Sequence, residues 1–252
     1  MLVSIIIPYY KDEENIYKST YSALNQTYKN FEIIIVDNEN SISSKKIFEN
    51  LRKISKKIKI INNTSHNNYA GIGRNLGIKH AKGKLIAFLD SDDFWKKKKL
   101  ELQISKIKNN NVDILFTNFT AVDNKNRKLY EVKTPKILTY DIFLRSCPVC
   151  CSSVVLKKKC FNKTIFRDYK TKEDYDLWLR LSKANFKIKS LNSNLTMYRV
   201  RPDSLSSLHI NKIINAFKIY YFSLKFSFLY SIFYVIRLYF NAFKKKYMQL
   251  ST

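Results

Sequence analysis

The fold of this chain is decided by one stretch, Leu85-Ile86-Ala87-Phe88-Leu89-Asp90-Ser91-Asp92-Asp93. Five apolar residues run directly into three carboxylates. An apolar run of this length, with Gly83 before it, is typical of a strand buried on both faces, and the acids indicate that the strand ends at a site. Because side chains alternate along an extended chain, we expect Asp90 and Asp92 to face one way and Asp93 the other.

Two carboxylates that face one cavity repel each other unless a cation lies between them. Mg²⁺ and Mn²⁺ prefer oxygen ligands, commonly one or two carboxylates together with substrate phosphates. The stretch is therefore consistent with a metal-bridged diphosphate. It is equally consistent with a solvated turn in which Asp92 and Asp93 cap the next helix, and these residues alone do not decide between the two.

The chain has 252 residues, an apolar content of 45% and a formal net charge of +26. Such a charge favours a polyanionic partner, either a phosphate-bearing small molecule, an anionic bilayer or nucleic acid. An AT-rich genome is an alternative explanation for the many lysines. Four cysteines without a secretory signal predict a reducing cytosol. The pair in Cys147-Pro148-Val149-Cys150 lacks a second pair at zinc-site spacing, which favours core or loop cysteines.

Apolar runs alternate with helical patterns along the first two thirds of the chain. The predicted strands are Val3–Ile7, Phe31–Val36, Lys59–Ile61, Leu85–Leu89, Val112–Asn118 and Ser152–Leu156. This alternation predicts an α/β fold, with a mostly parallel sheet and helices on both faces. Residues 119–150 are less regular, with a short helix expected near Tyr140 to Leu144.

Polar clusters follow three of these strands, at Pro8–Glu13, Asp37-Asn38 and Asp90-Ser91-Asp92. Ligands of open α/β sheets bind beyond the carboxyl ends of the strands, so we expect the three clusters to meet at one edge. Pro8 is expected to stop strand pairing. No G-x-G-x-x-G follows the first strand and no G-x-x-x-x-G-K-[ST] occurs, which weakens a dinucleotide or P-loop reading.

All four glycines of the chain lie between positions 71 and 83, which predicts close backbone approach in that segment. A helix that starts near Ile72 would aim N–H groups at an anion, and Arg74 would add a fork for phosphate or carboxylate. Tight packing of that helix on the sheet is the alternative. Further on, Glu173 and Asp174 open another helix, and Arg199 and Arg201 lie in a strand and turn.

The pattern changes at about Ile210, where aromatic and aliphatic residues dominate. The longest uncharged run lies between Lys225 and Arg237 and has eleven residues, too few for the roughly 20 of a membrane span. We expect an interfacial helix on an anionic membrane, with Lys218, Lys225, Arg237 and Lys244–Lys246 at the headgroups. A core helix is the alternative. The predicted division is 1–207 for the α/β domain and 208–252 for an amphipathic helical segment.

Over residues 2–205 the chain resembles family 2 glycosyltransferases of the GT-A fold. The matching stretches keep the family's order and spacing, and they are Ser4-Ile5-Ile6-Ile7-Pro8-Tyr9-Tyr10, Leu24-Asn25-Gln26-Thr27-Tyr28, Phe31-Glu32-Ile33-Ile34-Ile35-Val36-Asp37, Arg74-Asn75-Leu76-Gly77, Phe88-Leu89-Asp90-Ser91-Asp92-Asp93 and Glu173-Asp174-Tyr175-Asp176-Leu177-Trp178-Leu179-Arg180.

The resemblance implies a nucleoside-diphosphate sugar donor and a Mg²⁺ or Mn²⁺ cofactor. It also implies a role for several of the matching residues. The nucleoside pocket would be lined by Pro8, Tyr9, Glu13, Asp37 and Asn38. Arg74 would lie near the nucleotide or diphosphate, Asp90 and Ser91 near the ribose, and Asp92, with Asp90, at the metal. Asp174 would be the general base of an inverting transfer, with Glu173 as the alternative base, and Arg199 and Arg201 could hold a phosphate.

Two residues depart from the family pattern. Many relatives carry an aspartate where Asn38 stands, and since an amide both donates and accepts, the base of the donor is left open. Lys11 replaces a frequent asparagine. We expect the acceptor to be a glycan on a polyprenyl-phosphate-type lipid carrier, at the cytoplasmic face of the cell membrane, and no nucleic acid. A nucleotidyltransferase and a non-enzymatic basic protein are the rival classes.

Overall fold

The structure is a computed structural model that describes residues 1–162, 164–201 and 209–250, with side chains for all of these except 209 and 244–250. One sheet of nine strands forms the centre, in the order β3-β2-β1-β4-β8-β6-β9-β5, with β7 paired to β6. The strands are β1 Val3–Tyr9, β2 Phe31–Asp37, β3 Ile58–Asn62, β4 Leu85–Phe88, β5 Phe94–Trp95, β6 Ile114–Val122, β7 Lys128–Val132, β8 Val155–Lys157 and β9 Ile188–Arg199.

Eight α-helices accompany the sheet in the part of the chain that the structure describes. They are α1 Glu13–Leu24, α2 Ile42–Ile54, α3 Ala70–His80, α4 Lys99–Asn109, α5 Tyr140–Arg145, α6 Glu173–Lys183, α7 His209–Lys218 and α8 Phe228–Leu250. The predicted α/β fold is thus confirmed, including the helix near Tyr140 and the helices at the carboxyl end of the chain.

Four adjacent strands, β1 to β4, pair parallel to one another, and β6 and β9 form a second parallel pair. Ile5 of β1 lies opposite Ile33 of β2 and Ala87 of β4, and all three are fully buried. Because neighbouring residues of a strand point to opposite faces, Ile5 and Ile6 enter two different hydrophobic cores. Both faces of these strands are covered, which explains their unbroken apolar sequences. Strands β5, β7 and β8 pair antiparallel with their neighbours.

The prediction that Pro8 stops strand pairing was wrong, since β1 continues through Pro8 to Tyr9 in register with Val36 and Asp37. Alternate backbone groups of β1 face β2 and β4. Tyr9 O accepts from Asn38 N on the β2 side, so Pro8 faces the β4 side. There β4 has already ended opposite Ile6, and the missing N–H of the proline interrupts no ladder.

The region 119–150 is more regular than predicted. Strand β6 extends to Val122, and β7 returns antiparallel beside it, with Phe119 opposite Val132. Only Val132 of β7 is buried, and the charged residues Lys128 and Glu131 interrupt its apolar residues. The strand therefore lacks the continuous apolar run by which the other strands were recognised.

Helices α7 and α8 have two different faces. The inner face, which includes Ala216 of α7 and Leu238 of α8, is buried in the same core as one side of the sheet, and Tyr220 in the segment between the two helices is buried with it. The outer face of α8 exposes Phe233 and Phe240. Among the described residues, no helix is long and apolar enough to cross a bilayer. The predicted boundary between 207 and 208 and the side chains of Lys244–Lys246 lie outside what the structure describes.

Candidate active site

The candidate site lies where β1, β2 and β4 end, opposite the amino-terminal end of α6. Strand β4 ends at Phe88, and the chain then folds into a turn closed by a 3.1 Å hydrogen bond from Asp93 N to Asp90 O. The extended conformation predicted for Asp90–Asp93 was therefore wrong and the turn alternative holds, but Asp90 and Asp92 are partly exposed and Asp93 is buried. A turn is what a short carboxylate-rich sequence favours once strand pairing has stopped.

Asp92 lies at the solvent-facing side of this turn, with 27% of its side chain exposed. Its Oδ2 is 3.1 Å from Nε of Arg201, and the same guanidinium binds Oδ1 of Asp12 at 2.6 Å. Burial raises the pKa of Asp92 to about 6, the charge of Asp90 adds to that rise, and Arg201 opposes it. Arg201 therefore offsets part of the negative charge that gathers here.

Arg74 connects the end of β4 to the start of α6. Its two terminal nitrogens bind different carboxylates, Asp90 Oδ1 at 2.6 Å and Glu173 Oε1 at 2.7 Å. The side chain is almost fully buried, and its guanidinium also lies 5.4 Å from the ring of Phe166. A planar fork is suited to two such bonds, which a lysine could not make at once. Arg74 thus holds two predicted site segments against each other.

The two acids at the start of α6 are held differently. Burial raises the pKa of Glu173 to about 7, although the positive charge of Arg74 opposes that rise. Burial also raises the pKa of Asp174, and Arg74 again opposes it. Asp174 Oδ1 accepts a 2.8 Å hydrogen bond from Tyr175 N, and no cation forms an ion pair with Asp174 among the described residues. A raised pKa makes an ionised carboxylate a stronger proton acceptor.

Two glycines of α3 allow these contacts. A Cβ at Gly71 would lie 3.0 Å from Cγ of Glu173, and a Cβ at Gly73 would lie 2.6 Å from Nδ2 of Asn38. Only glycine lets the backbone of α3 come this close to both side chains. The predicted close backbone approach is confirmed, and the neighbours are protein side chains, as the packing alternative required.

Asp37 and Asn38 occupy the end of β2 as predicted. The Asp37 carboxylate accepts from the backbone of Glu39 at 2.9 Å and of Asn40 at 3.0 Å, and from Oγ of Ser44 at 2.6 Å. Asn38 Oδ1 accepts from Asn63 at 2.9 Å. Both side chains are buried, so this corner is a preformed wall.

The predicted pocket residues of β1 and α1 have separate surroundings. The Tyr9 ring is fully buried against Phe48, at a centroid distance of 5.0 Å, and burial raises the pKa of its hydroxyl. Pro8 is also buried. Glu13 is exposed at the start of α1 and accepts a hydrogen bond from Ser43. Of these three residues, only Glu13 is charged, and its side chain is exposed to solvent.

Arg199, which was considered for phosphate binding, is buried and engaged by its own chain. Its nitrogens donate to Asp92 O, Asp123 O and Asn124 O at 2.9 to 3.0 Å, and to Asn126 Oδ1 at 2.8 Å. Its backbone N–H donates to Oδ1 of Asp93, a buried acid whose pKa is raised by burial and by the charge of Asp92. In this structure Arg199 fixes the turn that carries Asp92.

Sequence reasoning missed two residues that shape the site. Asp12 is buried and accepts from Oγ of Ser91 at 2.8 Å, in addition to its ion pair with Arg201. Ser152 Oγ accepts from Asp90 N at 3.0 Å. Asp12 lay inside the polar cluster Pro8–Glu13, and that position was its only signal. Nothing in the sequence around Ser152 marked it.

Among the described residues, no group of three or more His, Cys, Asp or Glu side chains could hold a metal ion. A site completed by a substrate needs fewer protein ligands, because Mg²⁺ commonly takes one or two carboxylates together with substrate phosphates. Asp90 and Asp92 form such a pair, and they lie close enough for the charge of one to raise the pKa of the other. The residues present therefore fit a cation that arrives with a diphosphate.

This arrangement of acids at the carboxyl ends of parallel strands has known counterparts. Residues 4–170 match the family described as Glycosyl transferase family 2. The chain belongs to that family. The family resemblance stated from the motifs is thus confirmed.

Curated family members extend the match. Over 208 residues the chain is 38% identical to the Escherichia coli protein WfgD, a UDP-Glc:alpha-D-GlcNAc-diphosphoundecaprenol beta-1,3-glucosyltransferase, with 82% of this chain and 80% of WfgD covered. Over 207 residues it is 31% identical to TuaG of Bacillus subtilis, a putative teichuronic acid biosynthesis glycosyltransferase, with 82% of each chain covered.

Solved structures show the same fold. TarS 1-349 of S. aureus, in complex with UDP-GlcNAc, superposes with a TM-score of 0.69 at 22% sequence identity. That match covers 82% of this chain and 61% of the TarS fragment. The match shows that this chain has the GT-A fold.

Proposed function

We propose that this glycosyltransferase moves a hexose from a nucleoside-diphosphate sugar to a hydroxyl of a lipid-linked glycan, with inversion and with metal assistance, in cell-surface polysaccharide synthesis. The observation that carries the proposal is the buried Arg74 bridge, which brings Asp90 and Glu173 to within 2.7 Å of one guanidinium. Through it the acids that follow β4 and the acids that open α6 share one site.

The donor is proposed to bind over the ends of β1, β2 and β4. The Asp37-Asn38 wall supports a nucleoside pocket there, and WfgD takes its sugar from UDP-Glc. We therefore favour a uridine nucleotide. Asp92, with Asp90, would hold Mg²⁺ or Mn²⁺, and when bound that cation would neutralise charge that develops on the departing nucleoside diphosphate. Asp90 is proposed to lie by the ribose, and Ser91, whose Oγ donates to Asp12, is proposed to bind the donor beside it.

Asp174 is the better candidate for the general base. One Glu173 oxygen is taken by Arg74, and an ion-paired carboxylate is a weaker proton acceptor. Asp174 has no such partner among the described residues; burial raises the pKa of both acids, so the ion pair is what distinguishes them. In the proposed reaction Asp174 accepts the proton of the acceptor hydroxyl, that oxygen bonds to the anomeric carbon, and the diphosphate leaves from the opposite face.

Arg201 is the arginine that could reach the donor diphosphate. It is 29% exposed and bound to Asp12 and Asp92, whereas every guanidinium nitrogen of Arg199 already has a partner in the chain. We infer that Arg201 leaves Asp92 when the cation enters and then binds phosphate oxygens.

The acceptor is proposed to be a glycan on a polyprenyl diphosphate at the cytoplasmic face of the membrane. The E. coli relative acts on a GlcNAc-diphosphoundecaprenol acceptor, and the Bacillus relative is assigned to teichuronic acid biosynthesis. The exposed outer face of α8 carries Leu229, Phe233 and Phe240, and a formal charge of +26 would favour an anionic leaflet. Both features support peripheral binding there.

The proposal is tested by transfer from UDP-glucose to a GlcNAc-diphosphate lipid in the presence of Mn²⁺. We expect a β-linked product from the α-linked donor, read from the anomeric proton coupling by NMR. Replacing the base, Asp174→Asn, should lower turnover by roughly 10² to 10⁴ while UDP binding is unchanged.

The matched control for this test is Asp141→Asn, which changes an exposed carboxylate that pairs with Arg145 on α5 and should leave turnover unaltered. Near-wild-type turnover of Asp174→Asn would remove Asp174 from the role of base. No transfer from any of a panel of UDP-hexoses, together with no UDP binding, would contradict the proposed function itself.

A further inference from the structure

An apolar groove runs between α7 and α8, and the site described above does not use it. Its volume is about 590 Å³, within the roughly 300–1,000 Å³ that small-molecule sites occupy. We call it the α7–α8 groove, and its lining residues are Ile213, Val235, Ile236, Tyr239, Phe240 and Phe243. All six are aliphatic or aromatic, so the groove is suited to a hydrocarbon.

The walls of the groove are exposed although they are apolar. Ile236 is 64% exposed and Phe240 is 65% exposed, while Val235 at the floor is buried. Apolar surface of this kind gains free energy when a hydrocarbon covers it. The inner face of α8 is already packed on the core, which leaves the groove itself for a ligand.

One end of the groove reaches the helix that carries the proposed base. Nζ of Lys172 lies 5.4 Å from the ring centroid of Tyr239, a groove residue, and 5.5 Å from that of Tyr175. Lys172 directly precedes Glu173 and Asp174 in the chain. Helix α7 is tied to the same segment, because Nδ2 of Asn215 donates to Oγ1 of Thr171 at 2.9 Å.

Two lysine side chains lie at this end of the groove. Lys172 and Lys212 are both partly buried, and their positive charges lie close enough for Lys172 to lower the pKa of Lys212, in addition to the effect of burial. Neither lysine forms an ion pair with a carboxylate within the described part of the chain. Two ammonium groups that no carboxylate of the described residues pairs with are complementary to a diphosphate, which carries more than one negative charge.

We propose that the α7–α8 groove binds the isoprenoid segment next to the diphosphate of the lipid-linked acceptor, with Lys172 and Lys212 at the diphosphate. The inference rests on the proposed function for its choice of ligand. The order of features along the protein matches the order of groups in such an acceptor. Hydrocarbon lies in the groove, diphosphate at the two lysines, and the sugar at Asp174. The bilayer would receive the rest of the isoprenoid chain.

The test uses the full chain and geranylgeranyl diphosphate as the probe. Binding is measured by isothermal titration in EDTA, so that no metal can bridge the probe to Asp92. Inorganic diphosphate contains only the charged group of the probe, and geranylgeraniol contains only its isoprenoid chain. We expect the probe to bind at least about tenfold tighter than either half. Equal binding of the probe and inorganic diphosphate would overturn the proposal.

The groove is tested by Phe240→Gln, an exposed position whose change is expected to leave the fold intact. We expect binding of the probe to weaken about tenfold, because burial of an aromatic ring is lost. The matched control is Leu229→Gln, on the same helix and 77% exposed but outside the groove. It should leave probe binding unchanged while it lowers binding to vesicles of phosphatidylglycerol.

The diphosphate end is tested in the same way by Lys212→Gln, with Lys218→Gln as the control on α7. We expect Lys212→Gln to weaken the binding of geranylgeranyl diphosphate and to leave the binding of geranylgeraniol unchanged. Probe binding that Phe240→Gln does not alter, or that Leu229→Gln weakens as much, would show a general lipid surface and overturn the proposal. UDP binding with Mn²⁺, measured on the same preparations, reports separately on the proposed function.

Discussion

Two arginines each join a pair of carboxylates at this site, and they do so in different surroundings. Arg74 binds Asp90 and Glu173 with only 4% of its side chain exposed. Arg201 binds Asp12 and Asp92 with 29% exposed. The first bridge lies under the site and the second lies at its surface.

This difference in burial separates a fixed contact from one that can exchange. Breaking a buried ion pair leaves charges without solvent, whereas an exposed guanidinium regains water when it moves. Arg74 therefore sets the distance between the end of β4 and the start of α6. Arg201 also pairs with carboxylates, but at a position where an incoming metal cation could take its place beside Asp92.

The largest effect is expected from Arg74→Ala, which leaves Asp90 and Glu173 facing each other without a counter-charge. We expect a loss of roughly 3–5 kcal/mol in the free energy of unfolding, measured by urea denaturation. Arg74→Lys should recover part of it, because one ammonium cannot reach both carboxylates as the fork does.

Arg145→Ala is the matched control for the Arg74 change. Arg145 pairs with Asp141 on the surface of α5, at i and i+4, and its loss should cost no more than about 0.5 kcal/mol. If Arg74→Ala cost as little as Arg145→Ala, Arg74 would not be the residue that holds the two halves of the site together.

A smaller effect on stability is expected from Arg201→Gln than from Arg74→Ala, because Asp12 is buried but Arg201 and Asp92 are both partly exposed. The substitution should change the affinities for Mn²⁺ and for UDP in opposite directions. Mn²⁺ alone should bind more tightly, because a positive charge leaves Asp92, while UDP in the presence of Mn²⁺ should bind less tightly. Electron paramagnetic resonance of free Mn²⁺ measures the first affinity and titration calorimetry the second. Unchanged affinities for both ligands would show that the exposed bridge plays no part in binding.

The strands and their polar ends were predictable because each depends on a continuous piece of sequence. The apolar run before Asp90 and the pair Asp37-Asn38 each identify a strand end without reference to the rest of the chain. The partners at those ends were not predictable. Arg74 and Glu173 are 99 residues apart in sequence, and Ser91 and Asp12 are 79 residues apart.

The turn after β4 shows a second limit of prediction from the sequence, beyond the long-range contacts. Asp90 to Asp93 was expected to be extended because it continues an apolar strand, but its conformation is set by the i to i+3 bond and by Arg199, which binds Asp92 O from β9. The carboxyl-terminal helices show a third limit. Their sequence is apolar around most of the helix, and only packing reveals which face is buried and which is exposed.

The central claim is that Asp90 and Asp92 receive a nucleoside diphosphate together with a divalent cation. Titration calorimetry of UDP, with and without Mn²⁺, tests it on the wild-type chain, Asp92→Ala and the surface control Asp141→Ala. We predict binding only when Mn²⁺ is present, its loss in Asp92→Ala and its retention in the control. UDP binding that needs no metal and survives Asp92→Ala would contradict the claim.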